Sequence, residues 1–198
     1  MECVPNFSTG DPKVVKAILN EIQGAEEVVL VDHIFDSYYN RLVATFLGGK
    51  EAVLKASLEA SFAAVQLIDM SKHKGQHPRL GAVDVVPFIP LRNAEMRDCV
   101  ELARRFAETF ARSSGVPVYL YAEAATSPER RDINWLRMGE YEALAEMIRK
   151  PGREPDYGAP IFNRKSGATI VGARNIMVGF NVNLGTPDLK AAKTIAKE

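Results

Sequence analysis

Two histidines, two lysines and an arginine fall within one short run, Lys72-His73-Lys74-Gly75-Gln76-His77-Pro78-Arg79. An imidazole titrates near pH 6.5, so it takes up and returns a proton close to neutrality. The cations around His77 disfavour a second positive charge on its ring and so favour the neutral base. Gly75 and Pro78 break a helical period, and Pro78 biases His77 toward extended backbone. His77 is therefore expected in a stiff polar loop, either as a general base or as a structural loop histidine. His73 and His77 also stand four apart, the spacing of a helical zinc pair that Asp69 or Asp84 would complete. The same Gly75 and Pro78 spoil the helix that such a pair needs, and no HExxH is present, so no metal is expected.

Three further places carry usable side chains. Asp32, His33 and Arg41 lie at facing ends of two apolar runs, where Arg41 suits a bidentate carboxylate or a hairpin-end salt bridge. Asp84 sits inside an apolar run and needs a partner if buried, with Arg79 or a histidine as candidates. The segment Gly158-Ala159-Pro160-Ile161-Phe162-Asn163-Arg164-Lys165-Ser166-Gly167 combines an aromatic ring, an amide, two cations and close-approach glycines. Phe162 suits stacking on a planar ring, and Arg164 and Lys165 suit carboxylates. A solvated loop is the competing reading of that segment.

The elements that must position these residues follow from pattern. Glu2–Pro5 is a short strand, and residues 6–10 form a polar turn. Asp11-Pro12 reads as N-cap and first helical position, Val14, Val15, Ile18, Leu19 and Ile22 repeat at helical spacing, and Gly24 ends the helix. Residues 27–34 and 40–47 form a hairpin. Residues 50–69 form a long helix with Val53, Leu54, Leu58, Phe62, Val65 and Leu67 inward. Residues 83–91 are a fourth strand, which Pro87 and Pro90 place at a sheet edge or make bulged. The order β-α-β-β-α-β predicts an α+β protein with a ferredoxin-like βαββαβ core. Its two helices cover one sheet face and leave the other for a ligand or another domain. Beyond the core, an amphipathic helix at 95–114, a strand at 116–122 and an interrupted helix at 127–150 are appended. Residues 151–167 form an ordered loop or linker, not an element. Strands at 169–173 and 176–184 close the chain as a pair, and a polar tail, helical at most, follows.

Composition narrows the partners. The 198 residues hold 25 Lys+Arg and 25 Asp+Glu, for a formal net charge of zero. That balance argues against nucleic-acid binding through bulk charge. No apolar run reaches a membrane span and no signal peptide is visible, so no membrane partner and a reducing, cytoplasmic setting are expected. Cys3 and Cys99 form no framework or metal pair and read as reduced thiols.

The motifs QLIDMSKHKGQHPRLGAVDVVPFIPL (Gln66–Leu91), ECVPNFS (Glu2–Ser8), Asn40-Arg41 with Thr45-Phe46, GVPVYLY (Gly115–Tyr121), GEYEAL (Gly139–Leu144) and GAT with GAR in the last strands run in order along the chain. Together they resemble glutamate formiminotransferase, the folate-dependent half of formiminotransferase-cyclodeaminase, in its N-terminal subdomain. The resemblance implies that residues 1–184 form that subdomain and residues 185–198 lead toward a C-terminal subdomain of similar fold, absent here. It implies transfer of a formimino group between N5 of tetrahydrofolate, a co-substrate, and the amine of L-glutamate, in histidine breakdown. It further implies His77 as the catalytic residue, Gly158–Gly167 as the folate-binding loop and a homodimer. Charge and position make Arg41, Lys72, Lys74 and Arg79 candidates for the substrate carboxylates. A separate chain supplying the second subdomain, or a folate-binding module without catalysis, are the alternatives. Ile34 bears on them, because the family commonly has an acidic residue at that place of the hairpin.

Overall fold

Residues 1–178, 182 and 184–197 are described by a computed structural model. Helix α1 spans Pro12–Gln23, with the Asp11 carboxylate capping the Lys13 amide and Pro12 in the first turn. The hairpin strands are β3 (Val28–Asp36) and β4 (Arg41–Gly48). Helix α2 (Lys50–Leu67) follows, and a short 3-10 turn at Met70–Lys72 leads into the His loop. After the loop come β5 (Val83–Ile89), α3 (Met96–Ser114) and β6 (Val118–Ala122). Gly115 stops α3 in a left-handed cap. The later elements are α4 (Ile133–Leu136), α5 (Glu140–Met147), β7 (Thr169–Ala173) and α6 (Leu189–Ile195).

The chain opens with two short strands, β1 (Glu2–Cys3) and β2 (Asn6–Phe7), interrupted at Val4-Pro5. The turn expected from residue 6 is thus strand at its start. Asn6 and Phe7 pair antiparallel with both β4 and β5, because Phe7 is an inward residue with no exposed surface. From one edge the sheet reads β3, β4, the broken strand β1/β2, β5, β7, β6. The first four positions are antiparallel neighbours, and β7 joins β5 and β6 in parallel.

Strand β5 is central and buried along its whole length, not an edge as its prolines suggested. Pro87 is tolerated because its carbonyl faces Val4, where the neighbouring strand is interrupted. A residue's missing N–H lies on the same side as its carbonyl, so the lost donor meets the break in pairing. The one register shift against β2 lies between Val83 and Val85, at Asp84 and ahead of both prolines, so it is not a bulge made by them.

Helices α1, α2 and α3 pack on one face. Alternate β5 residues divide between two cores, as strand geometry requires. Val86 and Phe88 join α3 in the larger core, where Phe106 stacks on Phe110 at 5.3 Å and meets Phe88 at 6.2 Å. Val85 faces the smaller core with Ile170, Tyr119, Leu136 and Leu144. On α2 the fully buried residues include Ala56, Ser57, Ala60, Ser61 and Ala64, whereas Leu67, expected inward, is 49% exposed. Small residues let α2 sit closely between its neighbours, and Ser57 and Ser61 return their hydroxyls to carbonyls of their own helix.

The closing pair of strands is corrected. β7 lies between β5 and β6, so both of its edges are filled by strands from earlier in the chain. Residues 176–178 carry no strand, and Gly179, Phe180, Asn181 and Asn183 lie outside the described residues. Gly167, just before β7, has φ +69°, and a Cβ there would stand 2.2 Å from the Leu80 carbonyl oxygen and 2.7 Å from the Gly81 Cα. Gly167→Ala is expected to destabilise the fold by more than about 1 kcal/mol, read as a lower urea midpoint, because both the conformation and the space exclude a side chain. An unchanged midpoint would contradict this packing of the loop on the His segment.

Candidate active site

Two strand starts and one loop bring the functional side chains together. Arg41 begins β4, Asp84 lies near the start of β5, and the His loop runs between α2 and β5. The loop is fastened to the hairpin turn at several points. Asn40, itself at φ +51°, accepts from the Gly10 amide at 2.7 Å and donates to the Lys74 carbonyl at 2.8 Å. Gly75 passes so close that a Cβ would stand 2.4 Å from the Tyr39 carbonyl oxygen. Only glycine permits that approach.

The two histidines have different surroundings. His73 uses both ring nitrogens within the fold. Nδ1 accepts from Arg79 Nε at 3.2 Å, and Nε2 lies 3.1 Å from the Asn40 carbonyl, which accepts its proton. That pattern fixes a neutral ring in one tautomer, and burial holds its pKa below the usual value. His77 donates from Nδ1 to the Pro78 carbonyl at 2.6 Å, which leaves Nε2 as the basic nitrogen. The Arg41 guanidinium lies against the ring. Burial first, and then Arg41, push the His77 pKa down from the ordinary imidazole value.

Asp84 anchors the cations behind this ring. It is 2% exposed, accepts the Leu80 amide at 2.9 Å, and pairs with Arg137 at 2.5 Å and Arg41 at 3.7 Å. Burial lowers Arg41 to about 10, so it remains a cation at neutral pH. Arg79 is buried and donates to Glu140 at 2.8 Å and to both oxygens of Glu142, at 2.8 and 2.5 Å. The sequence pointed to a partner for Asp84, and Arg137 is the main one. Asn40 as a clamp, Arg137, Glu140 and Glu142 were missed as contributors. The local signal for the two glutamates is GEYEAL, with two carboxylates flanking Tyr141, and that for Asn40 is its place beside Arg41; Arg137 has none.

The expected residues are not all gathered. His77, Arg41, His73, Arg79 and Asp84 line one narrow slot. Lys74 faces an adjoining open cavity of about 650 Å³, shared with His73, Arg79 and Arg137. Lys72 is exposed and pairs with Asp69 at 3.3 Å. In the Gly158–Gly167 segment, Phe162 packs on Tyr141 at 5.5 Å between ring centres, and Lys165 donates to the Gln66 carbonyl at 2.8 Å. The Tyr141 hydroxyl donates to the Arg164 carbonyl at 2.5 Å, while the Tyr141 amide donates to the Arg79 carbonyl at 3.0 Å. One residue of α5 thus ties that segment to the His loop. Ile161 and the Arg164 side chain remain exposed. Among the described residues, no group of three or more His, Cys, Asp or Glu side chains is placed to hold a metal, no helix is long and apolar enough to cross a membrane, and Cys3 and Cys99 are both buried and unpaired.

Comparison with known proteins fits this arrangement. The model of the formiminotransferase domain, N-terminal subdomain, matches residues 1–174. The chain is 47% identical over 185 residues to formimidoyltransferase-cyclodeaminase of Mus musculus, covering 93% of this chain and 34% of that relative. It is 41% identical over 199 residues to glutamate formimidoyltransferase of Thermoplasma acidophilum, covering 99% of this chain and 65% of that one. The enzyme of the same name from Streptococcus pyogenes is 38% identical over 198 residues, with 66% of its length covered. The chain therefore spans a third of the first relative and just under two thirds of the other two. Those matches run through the His loop, both hairpin strands and the closing β7, and they make this chain a member of the formiminotransferase family, in its N-terminal subdomain.

Proposed function

We propose that the chain supplies the proton-transfer residue of a folate-dependent glutamate formimidoyltransferase. The reaction moves the formimino carbon from N5 of 5-formiminotetrahydrofolate to the amine of L-glutamate, giving tetrahydrofolate and N-formimino-L-glutamate, as in histidine breakdown. The observation that carries this reading is the His77 ring, with Nδ1 committed to Pro78, Nε2 left basic and its pKa held low. The glutamate ammonium must lose a proton before its nitrogen attacks the formimino carbon. His77 Nε2 takes that proton as the amine displaces the Arg41 contact. It returns a proton to N5 as the bond between the formimino carbon and N5 breaks. Arg41, fixed by Asp84, disfavours the imidazolium and so promotes this return.

Folate is assigned to the Gly158–Gly167 loop, whose fastening to Ala82, Met70 and Tyr141 supports a shared site with His77. Its exposed Ile161 and Arg164 offer an apolar surface and a cation to a pterin or a carboxylate tail. Lys74 and Arg41 are assigned to substrate carboxylates before Lys72, which lies on solvent, and Arg79, whose donors are spent on Glu140 and Glu142. The strand order β5, β1/β2, β4, β3 with antiparallel neighbours supports reading the first half as a ferredoxin-like βαββαβ unit. Its exposed outer strand, with Val29, Val31 and Ile34 on solvent, supports assembly with a second subdomain or a second copy as a homodimer.

The test is transfer from 5-formiminotetrahydrofolate to L-glutamate by the chain alone and with an added C-terminal subdomain. Turnover supports the enzyme; tetrahydrofolate binding with no turnover in either case marks a folate-binding module instead. Because His77 is depressed, its base form persists below pH 6.5, and kcat is expected to fall only at lower pH. Arg41→Ala removes a cause of the depression and should move that acid limb to higher pH. An acid limb that stays in place would separate Arg41 from His77.

A further inference from the structure

Among the described residues, five other than glycine have left-handed backbone: Glu27, Asn40, Asn93, Ala122 and Glu140. Asparagine visits that conformation readily, whereas in glutamate the Cβ crowds the following carbonyl oxygen. Glu140 follows Gly139, and the two turn the chain from α4 into α5 with φ +55° and +77° respectively. The turn seats the Glu140 amide on the Arg137 carbonyl at 2.7 Å and the Tyr141 amide on the Arg79 carbonyl at 3.0 Å. A glycine at 140 would make the same turn without strain, as Gly139 does beside it. What a glycine lacks is the carboxylate, which accepts from Arg79 Nη1 at 2.8 Å. The strained backbone thus holds a side chain in place, and strain of this kind persists where a site requires it.

From that carboxylate one hydrogen-bonded line runs through the His loop. Arg79, which is buried, donates from Nε to His73 Nδ1 at 3.2 Å. His73 Nε2 donates to the Asn40 carbonyl at 3.1 Å, and the Asn40 side chain donates to the Lys74 carbonyl at 2.8 Å. The line begins on α5 and ends on the hairpin turn, next to Arg41. His77 stands on the loop between its ends, with Arg41 of β4 against its ring and Asp84 of β5 and Arg137 after α4 behind that cation. We infer that Glu140 is a positioning residue for His77, acting through Arg79 and His73 and making no hydrogen bond to the ring itself. The inference rests on the proposed transfer only in taking His77 as its base. Glu142 bonds the same guanidinium, but its backbone is unstrained and its carboxylate more exposed. Glu140 also accepts the Arg79 amide, at 3.4 Å, so it fixes the backbone and side chain of that residue together. With Glu140 gone, Arg79 loosens on His73, the loop relaxes away from Arg41, and the His77 ring is freed from the cation that disfavours its protonation.

Nitrogen and proton NMR of the imidazole rings in the ligand-free chain, titrated from pH 5 to 8, tests this alongside urea unfolding and transfer kinetics. In wild type His73 should appear as the Nε2–H tautomer and His77 as the Nδ1–H tautomer. Glu140→Gly should mix the His73 tautomers and raise the His77 pKa toward the ordinary imidazole value. It should lower kcat by about tenfold to a hundredfold, the cost of a misplaced base. Its urea midpoint should stay level or rise, because the strain is gone. Glu140→Gln keeps the strain and one acceptor, so its kcat should lie between the two, with no gain in midpoint. Glu27→Gly is the control. Glu27 has φ +59°, is exposed and forms no side-chain bond among the described residues, so relief of its strain should leave both rings and the transfer unchanged. Rings in Glu140→Gly that match those of wild type would overturn the inference, whatever the midpoint. Transfer by the wild type with those rings unmoved would remove the brace and keep the enzyme. Displaced rings in a chain that never transfers would keep the brace and remove the enzyme.

Discussion

Asp84→Ala is expected to lower the unfolding free energy by about 3–5 kcal/mol, the usual cost of removing one partner from a buried ion pair. The carboxylate is almost wholly buried and serves three groups at once, the Arg137 and Arg41 guanidiniums and the Leu80 amide. Alanine leaves two cations facing each other in a half-buried setting, and an amide with no acceptor. For a chain of this size the melting temperature should fall by about 2–4 °C for each kcal/mol lost. Asp84→Asn keeps the shape and one acceptor and should cost less. Urea unfolding of the three proteins decides the point. A loss below about 1 kcal/mol for the alanine variant would mean that solvent or relaxation satisfies both guanidiniums, and the positioning role given to Asp84 would go with it.

His77→Ala should leave the fold nearly intact and lower transfer by about 10²- to 10⁴-fold, the range for losing a positioned general base. The ring is partly exposed and its one hydrogen bond within the loop is to the adjacent Pro78 carbonyl, so little stability depends on it. Tetrahydrofolate affinity should be kept, because the folate loop is fastened through Ala82, Met70 and Tyr141 and not through His77. A variant that loses folate binding and transfer together would point to a binding role for the ring. His73 offers a contrast, since its nitrogens hold Arg79 and the hairpin turn. Its replacement should cost stability as well as rate.

Much of this architecture is legible locally. Asp11-Pro12 and Gly115 mark helix ends where the caps are found, and the hairpin strands lie within two residues of their expected bounds. His77 was placed in a loop before a buried strand because Gly75 and Pro78 leave no other local solution. What local pattern misses is set by distant partners. Pro87 suggests an edge, but β7 comes from over eighty residues later to pair with β5, and the break at Val4-Pro5 absorbs the missing donor. Leu67 looks inward by size, yet the packed side of α2 is made of alanine and serine, which carry little hydrophobic signal. Arg79 looks available for a substrate, and only α5 reveals the two glutamates that occupy it. Asp84 was the one long-range feature that the sequence announced, because a carboxylate within VDVVPFI demands a cation from elsewhere.

The account turns on His77 as the group that carries the proton. Single-turnover transfer from bound 5-formiminotetrahydrofolate to saturating L-glutamate, followed from pH 5 to 8 in wild type and His77→Ala, addresses it directly. Wild type should lose rate on an acid limb below pH 6.5, and the variant should run about 10²- to 10⁴-fold slower with that limb gone. A variant that keeps both the wild-type rate and the same acid limb would show that another group moves the proton.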